Sequence, residues 1–283
     1  MRTRIVLILV CVSLPAAACG AGSRSAGGGK SLVVAAFYPL AYAAEQVGDG
    51  HVRVENLTPA GAEPHDLEIS PNDVREIGSA KWVFLLGHDF QPQLEDAAGS
   101  GHEVVRLLDT PGIDRFQNGD PHVWLDPHRY ALIVGRIGAA LGERARASRL
   151  VARLRVLDRE YRRGLAHCAR KEIVTSHEAF AYLAQRYGLR QIAITGLTPE
   201  AEPAPRDLAR VVALVRRTRA TTIFFETLVS PRIAKTVARE TGAKTAVLNP
   251  IEGLTRSQVD RGEDYFSLMR ENLAQLRAAL QCR

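Results

Sequence analysis

The chain has 283 residues, of which 46% are hydrophobic and 24% charged, and its formal net charge is +6. This length is enough for two globular domains of ordinary size. The charge is modest and lacks the basic tract that marks a nucleic-acid surface, so we expect no nucleic-acid partner.

The N-terminal residues have the pattern of an export signal followed by a tether. Arg2 and Arg4 precede an apolar run at residues 5–14, and three alanines then lead to Cys19. This layout predicts a signal peptide at residues 1–18, because the apolar run is too short to span a membrane. The position of Cys19 favours a bacterial lipoprotein anchored through that residue, with ordinary secretion as the alternative. Residues 19–30 are predicted to be a flexible tether.

The next part of the chain alternates between strand-like and helix-like segments. The predicted strands are residues 32–36, 52–57, 82–86 and 103–107, and the predicted helices are residues 40–47 and 71–80. Such alternation predicts a mostly parallel four-stranded sheet flanked by helices. We therefore expect an N-terminal α/β lobe at residues 31–142.

A long stretch of good helix formers runs from Arg129 to about His167. From Glu143 onward the sequence contains no glycine or proline until Gly164. This length exceeds that of an ordinary crossover helix, so residues 143–168 are predicted to be one rigid helix that connects two lobes.

The remaining residues, 169–283, repeat the α/β plan. The predicted strands are residues 172–175, 190–194, 221–225 and 244–248, and the predicted helices are residues 179–187, 205–218, 231–241 and 265–280. Gly188 and Gly242 lie where helix C-caps are expected. The fold class predicted from both halves is α/β, with two lobes that each contain a mostly parallel four-stranded sheet.

Two cysteines remain in the exported protein. Cys11 is removed with the signal and Cys19 carries the anchor, which leaves Cys168 and Cys282. An even pair in an oxidising compartment favours a disulfide, with two unpaired buried thiols as the alternative.

Four potential metal ligands follow strand-like runs or a loop. His65, His122 and His177 offer imidazoles, and Glu252 offers a carboxylate. In open α/β sheets, ligands bind beyond the carboxyl ends of the strands. Three imidazoles with one carboxylate suit zinc, a borderline-soft divalent ion. The pattern therefore predicts a metal site in a cleft.

The chain resembles the metal-specific substrate-binding proteins of ABC importers, the group that binds zinc or manganese. The resemblance covers residues 31–283. Its matching stretches are Gly61-Ala-Glu-Pro-His65-Asp66, Asp120-Pro-His122-Val-Trp-Leu-Asp126-Pro127, Ser176-His177-Glu-Ala-Phe180-Ala-Tyr182-Leu, Phe224-Phe-Glu226 and Leu248-Asn-Pro-Ile-Glu252. The resemblance implies two α/β lobes bridged by a long helix, with the metal held between them.

The resemblance also implies roles for individual residues. Zinc-type members bind the metal with three histidines, which correspond here to His65, His122 and His177, whereas manganese-type members often replace the third with a carboxylate. Many relatives have aspartate where this chain has Asn249, and others use the glutamate three residues beyond. Glu252 is therefore the expected fourth ligand, with Asn249 or water as alternatives.

Three further residues are candidates for supporting roles. Glu226 and Asp126 are expected to accept hydrogen bonds from metal-bound imidazoles, although a salt bridge is an equal alternative for Asp126. His88 follows a predicted strand and is a reserve ligand.

These observations predict a binding protein rather than an enzyme. The chain is expected to be an extracytoplasmic, membrane-anchored monomer that captures Zn²⁺ and delivers it to an ABC importer permease. The alternatives are a manganese-binding member of the same family, a zinc-dependent hydrolase or a surface adhesin with the same fold. The hydrolase has little support, because the sequence after His177-Glu178 has Ala181 where a His-Glu-x-x-His zinc motif requires histidine.

Overall fold

The computed structural model describes residues 29–99, 103–114 and 119–283. The predicted signal peptide, Cys19 and most of the predicted tether lie outside these residues. The described chain forms two four-stranded sheets in which all strand pairs are parallel. The predicted fold class is therefore confirmed.

The first sheet has the strand order β2-β1-β3-β4. Its central strands are buried, which explains why they consist almost wholly of apolar residues. The strands are β1 (Ser31–Ala35), β2 (Val52–Asn56), β3 (Trp82–Leu85) and β4 (Glu103–Arg106). The helices are α1 (Tyr38–Gly48), α2 (Pro71–Ser79), α3 (Pro92–Ala97) and α4 (Pro127–Ala140).

A single helix of 21 residues, α5 (Arg144–Gly164), follows α4. The turn between them contains Gly142 in the left-handed region, at φ +74°. The two helices pack closely because Gly138 has no side chain: a Cβ there would lie 2.3 Å from Cβ of Ala147. Compared with the helix predicted at residues 143–168, α5 begins one residue later and ends four residues earlier.

The second sheet repeats the topology of the first, with the strand order β6-β5-β7-β8. Its strands are β5 (Glu172–Thr175), β6 (Arg190–Ala193), β7 (Thr222–Phe225) and β8 (Lys244–Val247). Its helices are α6 (Ala181–Tyr187), α7 (Pro205–Thr218), α8 (Arg232–Thr241), α9 (Arg256–Asp260) and α10 (Tyr265–Leu280). The caps of α6 and α8 are the left-handed glycines Gly188 and Gly242, as predicted.

The end of the chain is fastened to the start of the second half. Cys168 and Cys282 form a disulfide, as predicted. Beside it, the backbone N–H of Arg170 donates to the carbonyl of Leu280 (3.2 Å). The last helix is therefore held against the segment that leads into β5.

Several hydrogen bonds join the two halves around the carboxyl ends of the sheets. Trp124 Nε1 donates to the carbonyl of Pro250 (2.8 Å), and the Tyr265 hydroxyl donates to the carbonyl of Trp124 (2.6 Å). The backbone N–H of Gly61 also donates to the carbonyl of Leu254 (2.8 Å). These contacts hold the loops that follow the first sheet against those that follow the second. Within the described ranges, no helix is both long and apolar enough to span a membrane.

Candidate metal centre

Four side chains from loops that follow the two sheets converge on one point. The Nε2 atoms of His65, His122 and His177 lie 3.4, 3.0 and 3.6 Å from Oε1 of Glu252. One donor atom from each residue lies within 4.8 Å of all the others, so the group could hold one metal ion. His65 and His122 come from loops of the first sheet, and His177 and Glu252 follow strands β5 and β8 of the second.

Local structure positions the two histidines of the first half. His65 is part of a 3₁₀ turn, Pro64–Asp66, that begins after Glu63. The Glu63 side chain accepts a hydrogen bond from the backbone N–H of His65 (3.3 Å). His122 directly precedes a second 3₁₀ turn, Val123–Leu125, whose side chains are buried. Both histidines therefore lie on short, tightly turned segments.

The segment after β5 fixes His177. The backbone carbonyl of His177 accepts hydrogen bonds from the Thr175 hydroxyl (2.8 Å) and from Nε2 of Gln191 (2.9 Å). Both donors come from the sheet itself, so the backbone of His177 is tied to the end of β5 and to the neighbouring strand β6.

The turn after β8 positions Glu252. Asn249 Oδ1 accepts a hydrogen bond from the backbone N–H of Ile251 (2.7 Å), and Ile251 has a φ of +58°. A branched residue at positive φ is strained, so this turn must be held in place by its surroundings. Asn272 supplies part of that restraint, because its side chain bonds both the N–H and the carbonyl of Asn249 (2.8 and 2.6 Å).

A carboxylate orients each of the two fully buried imidazoles. Asp120 Oδ1 lies 2.7 Å from Nδ1 of His122, and Glu226 Oε1 lies 2.7 Å from Nδ1 of His177. The Ser176 hydroxyl also donates to Oε1 of Glu226. With Nδ1 protonated towards these acceptors, Nε2 of each ring presents its lone pair to the centre, the arrangement typical of metal-bound histidine.

The pKa values of His122 and His177 are shifted in the opposite direction to that of Glu252. Burial alone would lower the pKa of His177, but hydrogen bonds to Glu226 and Glu252 outweigh it and raise the pKa to about 10. The pKa of His122 is raised in the same way, against burial, by Asp120 and Glu252. The pKa of Glu252 lies well below its usual value, because hydrogen bonds from the histidines outweigh the effect of its burial. The carboxylate is thus ionised, and protons compete with a metal for the imidazoles.

The site is almost closed to solvent. The side chains of His122, His177 and Glu252 are fully buried, whereas that of His65 is 10% exposed. Oε2 of Glu252 is buried and makes no hydrogen bond within the described part of the chain. A buried charged oxygen without a partner is costly, and a bound cation would compensate it. The donor set therefore suits a divalent ion.

The other predicted site residues lie in different surroundings. Glu226 contacts His177, as expected for a supporting carboxylate. Asp126 instead caps α4 and pairs with Arg129 and Arg186 (2.6 and 3.0 Å), so its expected bond to an imidazole is replaced by the salt bridge that was its alternative. Asp120, two residues before His122, takes the role expected of Asp126.

His88 and Asn249 do not reach the cluster. His88 Nε2 lies 2.7 Å from Oδ1 of Asp109 on the surface, at the edge of a pocket of about 340 Å³ that also borders His65. The side chain of Asn249 is engaged in its own turn through Oδ1. The geometry thus favours Glu252 over Asn249 as the fourth donor.

Comparison with known proteins identifies relatives along nearly the whole chain. Residues 33–279 match the family described as the periplasmic component A of zinc-uptake complexes, ZnuA. The high-affinity zinc uptake system protein ZnuA of Bacillus subtilis is 32% identical over 97% of this chain and 97% of its own length. The zinc-binding protein AdcA of Streptococcus pyogenes is 33% identical over 88% of this chain, which spans only 56% of the length of that relative.

Solved structures agree with these matches. The Zn(II)-bound ZnuA-like domain of Streptococcus pneumoniae AdcA aligns with a TM-score of 0.77 and 35% identity, covering 89% of this chain and 99% of the domain. The laminin binding protein Lmb of Streptococcus agalactiae aligns with a TM-score of 0.81 and 31% identity, covering 89% of this chain and 100% of that structure. The latter is described as a bifunctional protein with adhesin and metal transporting activity.

Proposed function

The chain belongs to the family of the periplasmic component A of zinc-uptake complexes, and on that premise we propose that it captures Zn²⁺ and delivers it to a membrane permease. The ion is the cargo of this protein. Its ligands in our proposal are His65, His122, His177 and Glu252.

One observation carries the proposal: four donors from both halves of the chain, three of them fully buried, converge on one point. Their donor atoms all lie within 4.8 Å of one another. An ion bound there would bridge the loops of the first sheet to those of the second. Capture would therefore stabilise the contact between the two halves.

The donor types favour zinc over manganese. Imidazole nitrogen suits zinc, whereas manganese prefers carboxylate, carbonyl and water oxygens. Zinc also stands above manganese in the order of divalent affinities. Three imidazoles with one carboxylate give a tetrahedral zinc site.

The same donor set argues against hydrolysis. A catalytic zinc is held by three protein ligands and keeps a fourth position for water. Here Glu252 supplies the fourth donor and is itself fully buried. We therefore propose a binding role for this centre rather than a catalytic one.

The extracytoplasmic location is supported by the family and by the disulfide between Cys168 and Cys282. We further propose that the mature protein is attached to the membrane through a lipid on Cys19, as a monomer. The zinc-binding lipoprotein AdcA of Streptococcus pneumoniae, 34% identical over 88% of this chain, has a name consistent with such an anchor.

The proposal is tested by elemental analysis of the purified protein and by calorimetric competition between Zn²⁺ and Mn²⁺. We expect one equivalent of zinc, and displacement of manganese by zinc at equal concentrations. Binding of Mn²⁺ as tight as that of Zn²⁺ would refute the zinc assignment.

A further inference from the structure

A pocket of about 580 Å³ lies at the opposite end of the second sheet from the metal centre. Its walls come from the segments that enter β5 and β6 and from the turn after α7. Four cations line it, Arg170, Lys171, Arg190 and Arg219, with Glu172 as the one acid among its lining residues. The net charge of the lining is therefore +3.

Most of these cations have no carboxylate partner among the described residues. Glu172 pairs with Arg190. In the described ranges, the side chains of Arg170, Lys171 and Arg219 make no ion pair with a carboxylate. Moreover, Nη1 of Arg170 is buried and donates no hydrogen bond within the described ranges. Buried donors on charged groups nearly always have a partner, so this atom indicates a missing acceptor.

An alternative role for these cations is to neutralise helix ends. Helices α6, α7 and α10 finish beside the pocket at Gly188, Arg219 and Gln281. Each helix end has the effect of about half a negative charge. Three such ends offset about half of the net +3, and no described hydrogen bond joins the side chains of Arg170, Lys171 or Arg219 to those carbonyls. A positive surplus therefore remains.

We propose that this pocket binds a multiply charged, phosphate-bearing ligand. Guanidinium groups bind phosphate through paired, charge-assisted hydrogen bonds, and the net charge favours a ligand with more than one negative charge. The pocket volume lies in the range of small-molecule sites. No aromatic side chain is among its described lining residues, which disfavours a nucleotide or a single-stranded nucleic acid that needs base stacking.

The site is distinct from the metal centre. Strand β5 separates Arg170 and Lys171 at its start from His177 beyond its end, a distance of about 13 Å for four residues. The two sites therefore share no binding residue, and binding at each site can be measured separately.

The test is calorimetric titration of the metal-free protein with inorganic pyrophosphate at low ionic strength. We expect saturable binding that weakens as salt is added, because exposed charges are screened. The double substitution Arg170→Gln with Arg219→Gln should weaken binding by about tenfold or more, since each removes a charge-assisted hydrogen bond. Arg217→Gln is the matched control, because Arg217 is exposed on α7 but does not line the pocket.

If the double variant binds zinc as tightly as the wild type, the variant is folded. If the double variant does not fold, the single substitution Arg170→Gln is tested in its place. Absence of saturable binding, an unchanged affinity in the pocket variants, or an equal loss in Arg217→Gln would each overturn the proposal. Competition by phosphatidylglycerol vesicles, but not by phosphatidylcholine vesicles, would identify a lipid headgroup as the source of the phosphate. Pyrophosphate binding without such competition would identify a soluble ligand.

Discussion

Glu226 Oε1 lies 2.7 Å from Nδ1 of His177, so the opposite nitrogen of that ring is turned towards Glu252. Asp120 has the same relationship to His122 at the same distance. Each half of the chain thus contributes a carboxylate–imidazole pair. The orientation of both rings is therefore fixed before any ion arrives.

Removal of one imidazole should abolish tight zinc binding. His177→Ala deletes a buried donor that comes from the second sheet, and we expect zinc affinity to fall by about 100-fold or more. Calorimetry with a competing chelator measures the change. The control is His167→Ala, because His167 is exposed and lies outside the cluster. Equal affinities for the two variants would contradict the assignment of His177 as a ligand.

Loss of an orienting carboxylate should weaken binding less than loss of a ligand. Asp120→Asn and Glu226→Gln keep the size of the side chain but remove its charge, and we expect a loss of about 10- to 100-fold in zinc affinity for each. Asp109→Asn is a matched control, since Asp109 also pairs with a histidine, His88, but away from the cluster. If all three variants bind alike, the carboxylates do not act through the imidazoles.

Zinc binding should release protons and strengthen with rising pH. The raised pKa of His177, about 10, means that this ring is protonated in the metal-free protein at neutral pH. We expect release of about one proton or more per zinc, measured by calorimetry in buffers of different ionisation enthalpy. Heats that do not depend on the buffer would show that the imidazoles are already neutral.

The same pKa shifts determine how stability depends on pH. A histidine with a raised pKa stabilises the metal-free fold below its ordinary pKa of about 6.5, and this stabilisation is lost as the pH rises towards the folded value. Glu252, with a lowered pKa, stabilises the fold above its ordinary value and loses that effect in acid. The increase in melting temperature caused by zinc should therefore grow between about pH 5.5 and 8.5. Equal increases across that range would contradict a site of three histidines.

The turn at Asn249 provides a test of the fourth ligand. Asn249→Asp keeps the oxygen that accepts from Ile251, so it should preserve the turn and bind zinc within about threefold of the wild type. Glu252→Gln should lower the affinity by about 100-fold or more, because it removes the anionic donor. A larger loss in the Asn249 variant than in the Glu252 variant would assign the metal contact to residue 249.

Removal of the disulfide should lower stability without affecting capture of zinc. The bridge closes a loop with a sequence separation of 114. Replacement of Cys168 and Cys282 by serine should cost up to about 4–5 kcal/mol in the free energy of unfolding, on the chain-entropy account. Denaturant unfolding measures this cost, and zinc calorimetry on the folded variant provides the control. A variant as stable as the wild type would show that native contacts alone hold α10 in place.

The sequence predicted the strands well and the supporting residues less well. All eight strands lie within one residue of their predicted bounds, because buried parallel strands are short apolar runs between turn residues. Helices α3 and α9 were missed, since six and five residues are too few to show helical periodicity. Of the candidate site, the three histidines and Glu252 do converge.

The role of Asp126 shows why the supporting residues could not be predicted from their spacing in the sequence. Asp120 and Asp126 flank the same histidine, and sequence distance does not reveal which carboxylate faces the ring. A local signal did exist: an aspartate directly before a proline is typical of a helix N-cap, which is the position that Asp126 occupies. Its arginine partner at residue 186 is brought close only by the tertiary fold.

The slight exposure of His65 has a kinetic consequence. Because the other three donors are sealed from solvent, an ion can leave only past this ring or after the two halves separate. Exchange of the ion with solvent then requires motion at one edge of the site, and the off-rate depends on the mobility of the loop at Pro64–Asp66 as well as on the strength of the metal–ligand bonds. A permease that pulled on that short turn would lower the barrier to release without having to break all four bonds at once.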